Sequence, residues 1–279
     1  YKRQGKISST TIEREGIEVD AVPFHSMVDE KTGYIVLSKF NAKASKQTKS
    51  ALFDLKGKGA ERIVSDLRDN PGGLLSEAIN VTNLFVPEGE LIVTTKSKVK
   101  KFNREYKTKN KAIDTEIPLV VLVNGRSASA SEIVSGSLQD LDRAVIMGAR
   151  SFGKGLVQRP LKLTYGTQLK VTISRYYTAS GRCIQSLDYW NRDEEGKAVR
   201  NTQFNDFTTR NGRKVQDGGG VLPDIEVAAS KTNDLTKALL QNNIIFDYAT
   251  NYHYNNDLAS VDSFKFSNAD FNNFKNFVK

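Results

Sequence analysis

The chain has 279 residues, of which 38% are hydrophobic and 26% charged. This composition supplies enough apolar side chains for one large globular domain or two small ones, and it excludes a disordered or low-complexity chain. The net charge of +9 comes from lysines spread along the sequence, so it does not by itself indicate a nucleic-acid-binding protein.

Cys183 is the single cysteine, which rules out an intrachain disulfide and leaves no partner motif for a zinc site. No apolar run approaches the roughly 18 residues that a membrane span needs, so no transmembrane segment is expected. The sequence as it stands shows no signal peptide.

The first half of the chain alternates between predicted strands and helices. Residues 5–19 alternate weakly between apolar and polar side chains, which favours an exposed strand or hairpin. Residues 32–40 predict a strand, residues 42–55 an amphipathic helix and residues 62–67 a second strand. Such a strand–helix–strand unit indicates parallel strands with right-handed crossovers, and active sites of that architecture lie at the carboxyl ends of the strands.

A glycine-rich segment, Asp69-Asn-Pro-Gly-Gly73, falls at one such end and precedes a predicted helix over residues 74–85. It fits an ordinary turn, for which Asn-Pro-Gly is well suited. Paired glycines also let bare backbone approach a substrate, and amides at the start of a helix favour an anion. Both interpretations remain open from the residues alone.

A strand over residues 91–95 leads into a lysine-rich segment, residues 96–111, which Phe102 and Tyr106 interrupt. A solvated hairpin is favoured there over a nucleic-acid surface. An apolar run over residues 118–123 then predicts a buried strand that ends at Asn124-Gly125. The helix that follows is predicted to continue to Gln139-Asp140, before a strand over residues 143–147.

Ser129 lies at the start of this helix, where free amides and the helix dipole stabilise developing negative charge. It is therefore a candidate nucleophile, although Ser129 and Glu132 also have the spacing of a capping box. Lys154, between Gly153 and Gly155, is a candidate general base. A lysine between glycines is also typical of a solvated loop.

The second half of the chain begins with strands predicted over residues 161–163 and 168–177, joined by a turn at Tyr165-Gly166. They predict a β-rich edge, where an extended substrate could bind by strand addition. Residues 186–220 form a polar excursion. From Asn233 a helix gives way to a Phe- and Asn-rich stretch, which predicts a small helical addition or an oligomer contact.

Seven separate motifs occur in a characteristic order. They are Gly33-Tyr-Ile35, Asp66-Leu-Arg-Asp-Asn-Pro-Gly-Gly73, Ser127-Ala-Ser-Ala-Ser-Glu-Ile133, Gln139-Asp140, Phe152-Gly-Lys-Gly155 with Gln158, Tyr177-Thr-Ala-Ser-Gly-Arg182 and Leu222-Pro-Asp-Ile-Glu226. Over roughly residues 15–228 the chain thus resembles the C-terminal processing peptidases, also called tail-specific proteases. These are serine peptidases with a Ser–Lys dyad.

The resemblance implies catalytic roles for Ser129 as the nucleophile, Lys154 as the base and Gln158 as the residue that orients the lysine. It implies an oxyanion hole formed by the Ala130 amide with that of Gly72 or Gly73. Asp140 is a position that the family associates with activity in a less settled supporting role.

The sequence departs from the family pattern at three places. Ala179 stands where proline is usual, Cys183 where serine is frequent, and a polar insertion of about thirty residues follows Gln185. None of these departures touches the dyad.

For the fold, the resemblance implies an α/β crotonase/ClpP-like core with strand–helix–strand units, a β-rich edge and a small C-terminal helical addition. Residues 1–22 resemble the remnant of a PDZ domain with its linker strand, and there is no room for a complete one. Residues 23–228 form the expected peptidase core, with its insertion at about residues 186–219. Residues 229–279 form a helical extension.

The implied function is a serine endopeptidase that engages protein or peptide substrates through their C-terminal tails. Exported bacterial members act on envelope proteins, so a periplasmic or otherwise exported location is expected. A homo-oligomer is compatible with this function, whereas a nucleic-acid partner is not expected.

A lysine base explains why no Ser–His–Asp triad is evident, because His25 and His253 are isolated from the serine motif. Lysine titrates near ~10.4, and burial lowers that value by up to about 3–5 units, which would make it a useful base. No metal or cofactor is needed. Two alternatives remain: a peptide-binding scaffold with a decayed site, and an acyl-CoA enzyme on a similar core, in which no Ser–Lys dyad is expected.

Overall fold

A computed structural model describes residues 2–3, 6–7, 9–228, 232–256, 260 and 264–278. The chain divides into two compact units, Tyr1–Ala228 and Ala229–Lys279. The strands and helices of the first unit are, in chain order, β1 (Lys2–Arg3), β2 (Lys6–Ile7), β3 (Phe24–Met27), β4 (Thr32–Val36), α1 (Ala44–Gly57), β5 (Arg62–Asp66), α2 (Leu75–Asn83), β6 (Leu91–Lys96), β7 (Arg104–Lys107), β8 (Leu119–Val123), α3 (Ala130–Asp140), β9 (Val145–Gly148), β10 (Leu156–Lys162), β11 (Gln168–Thr178), β12 (Leu187–Arg192), β13 (Ala198–Arg200), β14 (Asp206–Thr208), β15 (Lys214–Gln216) and β16 (Ile225–Glu226). Short 3₁₀ turns occupy Lys100–Phe102 and Thr164–Gly166.

A six-stranded sheet in the order β16-β9-β8-β5-β4-β3 forms the centre of this unit. The neighbours from β4 to β16 are parallel, and only the edge strand β3 pairs antiparallel. The predicted parallel sheet is therefore confirmed. Apolar side chains of the inner strands, among them Ile35, Ile63, Val121 and Ile146, are buried, as is usual for a parallel sheet.

The carboxyl ends of three neighbouring strands bring the predicted motifs together. β5, β8 and β9 lie side by side in the sheet. The Asn-Pro-Gly-Gly segment follows β5, the serine motif follows β8 and the Gly-Lys-Gly segment follows β9. Because the strands are parallel, all three segments lie at one edge of the sheet.

A second, antiparallel sheet in the order β10-β11-β6-β7 provides the expected β-rich edge. The lysine-rich segment forms the hairpin of β6 and β7, as the sequence predicted. Strand β10 begins at Leu156, earlier than the predicted residue 161, because its first residues already pair with β11. The polar excursion contains two further hairpins, β12–β13 and β14–β15.

The expected strand structure near the N-terminus is only partly present. β1 and β2 pair antiparallel, but residues 9–19 contain no strand. Ile12 is 81% exposed and Ile17 is 79% exposed, so this segment has no buried face to hold a strand in register. The prediction of an exposed strand is wrong for residues 9–19.

The second unit consists, within its described residues, of the helices α4 (Asp234–Gln241), α5 (Ile244–Asn255) and α6 (Asn268–Val278). The helix predicted from Asn233 breaks at Asn243, whose φ of 57° is left-handed. Tyr248 packs edge-on against Phe274 and Phe277, with ring centroids 5.0 and 5.4 Å away. None of the helices in the described parts of the chain is long and apolar enough to span a bilayer.

Candidate active site

A cavity of about 460 Å³ opens where the three segments meet. It brings together every residue predicted for the dyad, the lysine-orienting position and the oxyanion hole. Those residues are Gly72, Gly73, Ser129, Ala130, Lys154 and Gln158. Asp140, the remaining predicted residue, does not line this cavity.

Ser129 is the residue that precedes α3, and its backbone is strained. Its φ of 57° lies in the left-handed region, which a non-glycine residue rarely adopts. The surrounding structure has to hold such a conformation, and strain of this kind clusters at functional sites. α3 itself is buried along its whole length, so Ser129 lies at the end of a helix that is packed on all sides.

The two neighbouring serines of the motif have structural hydrogen bonds. Ser127 donates from Oγ to Leu67 O (2.7 Å), and Ser131 donates from Oγ to Asn70 O (2.9 Å). Each bond ties the start of α3 to the segment that follows β5. Both serines are fully buried, whereas Ser129 lines the cavity.

Glu132 ties the serine segment to the lysine segment. Its carboxylate accepts the amides of Ser129 (2.8 Å), Gly153 (2.6 Å) and Lys154 (2.8 Å), and the Oγ of Ser151 (2.6 Å). Burial raises the pKa of Glu132, and these donors oppose that effect. The capping-box interaction predicted for Glu132 is therefore present, but the same carboxylate also fixes the backbone of the proposed base.

Tyr176, on β11, makes a second link between the same two segments. Its hydroxyl donates to Lys154 O at 2.5 Å and lies 3.1 Å from Ser129 O. Burial, with the nearby Glu132 carboxylate, raises the pKa of Tyr176 well above its usual value, so the hydroxyl stays protonated and can donate. Glu132 binds the amides of both segments, and Tyr176 binds their carbonyls.

The glycines beside Lys154 allow this loop to pack tightly. A Cβ at Gly153, where φ is 88°, would lie 2.4 Å from the side chain of Ser186. A Cβ at Gly155 would lie 2.9 Å from the Gln185 backbone, and the Gly155 amide donates to Gln185 Oε1 (2.7 Å). Lys154 is half-buried and lines the cavity, so it does not stand on a fully solvated loop.

The Gly-Gly pair lies against the backbone of the serine segment. A Cβ at Gly72, where φ is 95°, would lie 2.6 Å from Ala128 O and 2.8 Å from Ala130 N. Only glycine allows this approach. The turn interpretation and the close-approach interpretation of this segment are thus compatible.

The two glycine amides differ in their hydrogen bonds. The Gly72 amide donates to Asn70 Oδ1 (2.9 Å). Gly73 forms a parallel bridge with Phe40 whose two hydrogen bonds use Gly72 O and Leu74 N. The bridge therefore does not use the Gly73 amide, which makes Gly73 the better candidate to donate to a ligand in the cavity.

Gln158 lies on β10, where the pairing with β11 shifts between Val157 and Gln158. Such a bulge redirects the side chains beside it and is frequent next to active sites. Gln158 lines the cavity together with Lys154.

Asp140 lies at the far end of α3, about 15 Å along the helix from its first residue. Its Oδ1 lies 2.8 Å from Nη2 of Arg182, both side chains are fully buried, and its Oδ2 accepts the Ser180 amide (2.9 Å). Gln139 Oε1 accepts from Arg182 (2.7 Å), and Gln139 Nε2 donates to Asp224 (2.9 Å). Three of the sequence motifs thus meet in one buried polar network that anchors α3.

The two histidines lie outside this cavity. His25 is on the edge strand β3, where its Nε2 lies 3.1 Å from Asp54 Oδ2, and His253 is on α5. Within the described residues, no cluster of three or more histidine, cysteine or acidic side chains could hold a metal ion.

Comparison with known proteins agrees with this arrangement. Peptidase family S41 matches residues 31–189, which is more than half of the chain and includes every residue that lines the cavity. The chain belongs to peptidase family S41. Residues 235–279 match a second family, described as the probable PDZ-protease C-terminal helical domain.

Among the relatives, the carboxyl-terminal-processing protease of a Synechocystis strain is 42% identical over 158 residues, which cover 57% of this chain and 36% of that protein. The carboxy-terminal-processing protease of Bartonella bacilliformis is 42% identical over 180 residues, which cover 63% and 41%. Among solved structures, the photosystem II D1 C-terminal processing protease matches with a TM-score of 0.53 and 30% identity, covering 70% of this chain and 42% of that one. The chain therefore spans about two fifths of the length of these relatives.

Two residues of the site were not predicted to act there. Glu132 was identified only as a possible helix cap, and Tyr176 only as part of a strand. The capping-box spacing of Glu132 indicates its local partner Ser129, but it does not indicate that Glu132 also binds the loop after β9. The alternation of a strand likewise does not indicate which carbonyls the Tyr176 hydroxyl contacts.

Proposed function

We propose that this chain carries the catalytic core of a serine endopeptidase of the C-terminal processing type, in which Ser129 and Lys154 form the dyad. The observation that carries the proposal is a single cavity lined by a strained serine at a helix start, a lysine, Gly73 and Ala130. In this proposal, residues 23–228 form the core, which has a crotonase-like fold. Residues 1–22 derive from a PDZ domain, and residues 229–279 form the helical extension.

In the proposed reaction the neutral amine of Lys154 removes the Ser129 proton, and the resulting alkoxide attacks the scissile carbonyl carbon. The tetrahedral oxyanion accepts the amides of Gly73 and Ala130 at the positive end of α3. Protonated Lys154 then gives its proton to the departing amine, which breaks the C–N bond and leaves an acyl-enzyme. Water, deprotonated by Lys154, then attacks the acyl carbon. As the ester C–O bond breaks, Lys154 returns the proton to Ser129 Oγ, which releases the acid and restores the serine. Gln158 orients the lysine, while Asp140 supports the site indirectly by holding α3 in place.

The substrates we propose are protein chains engaged through their C-terminal tails, and the proposed location is the periplasm or another exported compartment. These assignments rest on the family and on relatives named as carboxyl-terminal-processing proteases. An extended substrate would add to the edge strand β10, which borders the cavity.

The test uses Ser129→Ala with Ser131→Ala as its matched control, since both remove one hydroxyl from the same helix start. Ser129→Ala should lower cleavage of an unfolded protein at least about a thousandfold while the melting temperature stays unchanged. Ser131→Ala should lose stability but keep its cleavage rate per folded molecule. Wild type should also form a covalent adduct with a serine-directed fluorophosphonate at Ser129, identified by peptide mass.

A Ser131→Ala variant that is inactive while Ser129→Ala turns over normally would reassign the nucleophile. A wild-type protein that neither cleaves nor labels would instead indicate a decayed peptide-binding scaffold.

A further inference from the structure

A groove of about 1150 Å³ lies on the face of the antiparallel sheet and extends under strand β12 of the insertion. We call it the aromatic groove. Tyr189 is 48% exposed and Trp190 is 76% exposed, which is unusual for large aromatic side chains. The apolar residues that line the groove include Phe102, Leu156, Leu161, Tyr177, Tyr189 and Trp190.

The charges that line this groove have one sign. The basic residues are Lys96, Lys98, Arg159, Arg175 and Arg192, and none of the described residues that line it is an aspartate or glutamate. Lys96 on β6 and Arg175 on β11 are direct cross-strand partners, a placement that destabilises the sheet unless an anion lies between them.

Two of the five cations of the groove lie over aromatic rings rather than beside carboxylates. Lys98 Nζ lies 4.3 Å from the ring centroid of Trp190, and Lys96 Nζ lies 4.6 Å from that of Tyr177. Among the described residues, none of the five cations has a carboxylate within 4.0 Å, although lysines elsewhere on the surface do, such as Lys31 with Glu61. Cations and aromatic faces are thus available together for an acidic ligand with ring side chains.

Asp188 is the acidic residue of β12 nearest in sequence to Trp190, and it is already engaged. Its carboxylate accepts the Trp190 amide (2.8 Å) and Asn191 Nδ2 (2.7 Å). It lines a neighbouring pocket that Arg175 also lines, and the Trp190 amide and, to a smaller extent, Arg175 lower the pKa of Asp188. Asp188 therefore offsets part of the charge of Arg175 but does not line the groove.

The groove adjoins the candidate active site. Leu156 and Gln158 line both the groove and the cavity that contains Ser129 and Lys154. Strand β10 separates the two spaces as the free edge of its sheet, pairing only with β11 among the described strands. A polypeptide lying along β10 could therefore reach both, whereas a nucleic acid would have no reason to enter the cavity.

We propose that the aromatic groove binds an acidic, aromatic-containing segment of the protein substrate beside the cleaved bond, an assignment that rests on the proposed peptidase function. The groove then selects substrates by charge and by ring side chains. Trp190 and Tyr189 come from the polar insertion, so this selectivity is a property of this chain's own β12 hairpin.

The binding test uses the Ser129→Ala protein, which leaves a bound peptide intact. Trp190 is the single tryptophan of the chain, so its fluorescence reports occupancy of the groove directly. We expect a peptide with alternating Asp or Glu and Phe residues to bind at least about fivefold more tightly than the same peptide with Asn and Gln. This advantage should shrink as salt rises from about 0.05 to 0.5 M, because exposed charges are screened.

Lys96→Gln with Lys98→Gln should weaken binding of the acidic peptide by roughly two- to fivefold for each cation removed. The matched control is Lys49→Gln, which removes a lysine that lies 5.7 Å from the ring of Phe53 on α1, outside the groove. The Lys49→Gln variant should bind the acidic peptide and the neutral peptide with unchanged affinity. Equal affinity for the two peptides, or tighter binding of a single-stranded oligonucleotide, would overturn the proposal.

The cleavage test measures kcat/KM of the wild type on two peptides that share one scissile sequence and differ only in an acidic or neutral flanking segment. Faster cleavage of the acidic peptide, with the preference lost in the double lysine variant, supports the groove as a substrate site. If both peptides are cut at equal rates, the groove proposal is wrong and the peptidase proposal stands. If the acidic peptide binds but neither is cut, the peptidase assignment fails and the groove is not a substrate site.

Discussion

Tyr176→Phe tests whether the link between the two catalytic segments matters for the reaction. The variant keeps the buried ring and removes only the hydroxyl that donates to Lys154 O at 2.5 Å and lies 3.1 Å from Ser129 O. Ser129 O also accepts the amides of Glu132 and Ile133, so it keeps partners after the change. Lys154 O is therefore the carbonyl that loses its partner, and leaving a buried carbonyl unpaired lowers the free energy of unfolding by about 1–3 kcal/mol.

In a unit of this size, each 1 kcal/mol lowers the melting temperature by about 2–4 °C, so a decrease of about 2 to 12 °C is expected. Release of the lysine backbone should also displace its amine, and a displacement of about 1 Å can lower the rate about a hundredfold. We therefore expect kcat to fall about ten- to a hundredfold with a smaller change in KM.

The assay combines thermal unfolding with steady-state cleavage of a fluorogenic peptide at a temperature where both proteins are folded. Tyr106→Phe, on β7 and outside the cavity, is the matched control and should change neither quantity. A Tyr176→Phe protein with the wild-type melting temperature and wild-type kcat would refute the role argued for this hydroxyl. A stability loss without a change in kcat would limit Tyr176 to a structural role.

Three further outcomes follow from the structure. Gly72→Ala should abolish cleavage, because the added Cβ would lie 2.6 Å from Ala128 O. Gly59→Ala is the control, since Gly59 has the same φ of 95° but open space around it, and this variant should keep the wild-type rate. Equal activities of the two variants in a peptidase assay would contradict this prediction. Arg182→Met should lower the free energy of unfolding, measured in urea, by about 3–5 kcal/mol, because it leaves the buried Asp140 carboxylate unpaired. Adding Asp140→Asn to this variant should restore part of the lost stability. Partial burial raises the pKa of Asp114, but hydrogen bonds from Lys56 and two amides outweigh it and lower the pKa to about 2. Because solvent screens this pair, we expect it to contribute about 1 kcal/mol, which is present above the unfolded pKa near 4 and is lost as pH falls toward 2. Asp114→Asn should therefore be less stable than wild type at pH 7, and the difference in urea midpoints should close below about pH 4.

The arrangement of the core could be predicted from local patterns because each strand carries its own signal. The runs before Asp69 and Asn124 are short and apolar, and the helices between them make parallel pairing the natural outcome. Once three neighbouring strands are parallel, the segments at their carboxyl ends have to meet. The convergence of Gly73, Ser129 and Lys154 therefore follows from chain order and polypeptide chirality.

The N-terminal segment shows where local pattern fails. Ile12 and Ile17 fit a weak alternation, but alternation becomes a strand only when another strand and a buried face are supplied. The prediction of where β10 begins was wrong for the opposite reason. Residues 156–160 pair with β11 although their own sequence pattern is irregular. In both places tertiary partners decided the conformation.

The site residues that escaped prediction are those whose roles depend on contacts across the fold. Glu132 has a recognisable local partner in Ser129, and the sequence therefore favoured a helix cap. Its other partners lie beyond β9, in a segment that comes near only after the sheet has formed. A helix cap would leave a carboxylate at the surface, yet this one is fully buried and accepts four donors. Full burial of a charged cap is thus the structural sign that it holds two segments together, and that sign cannot be read before the fold is known.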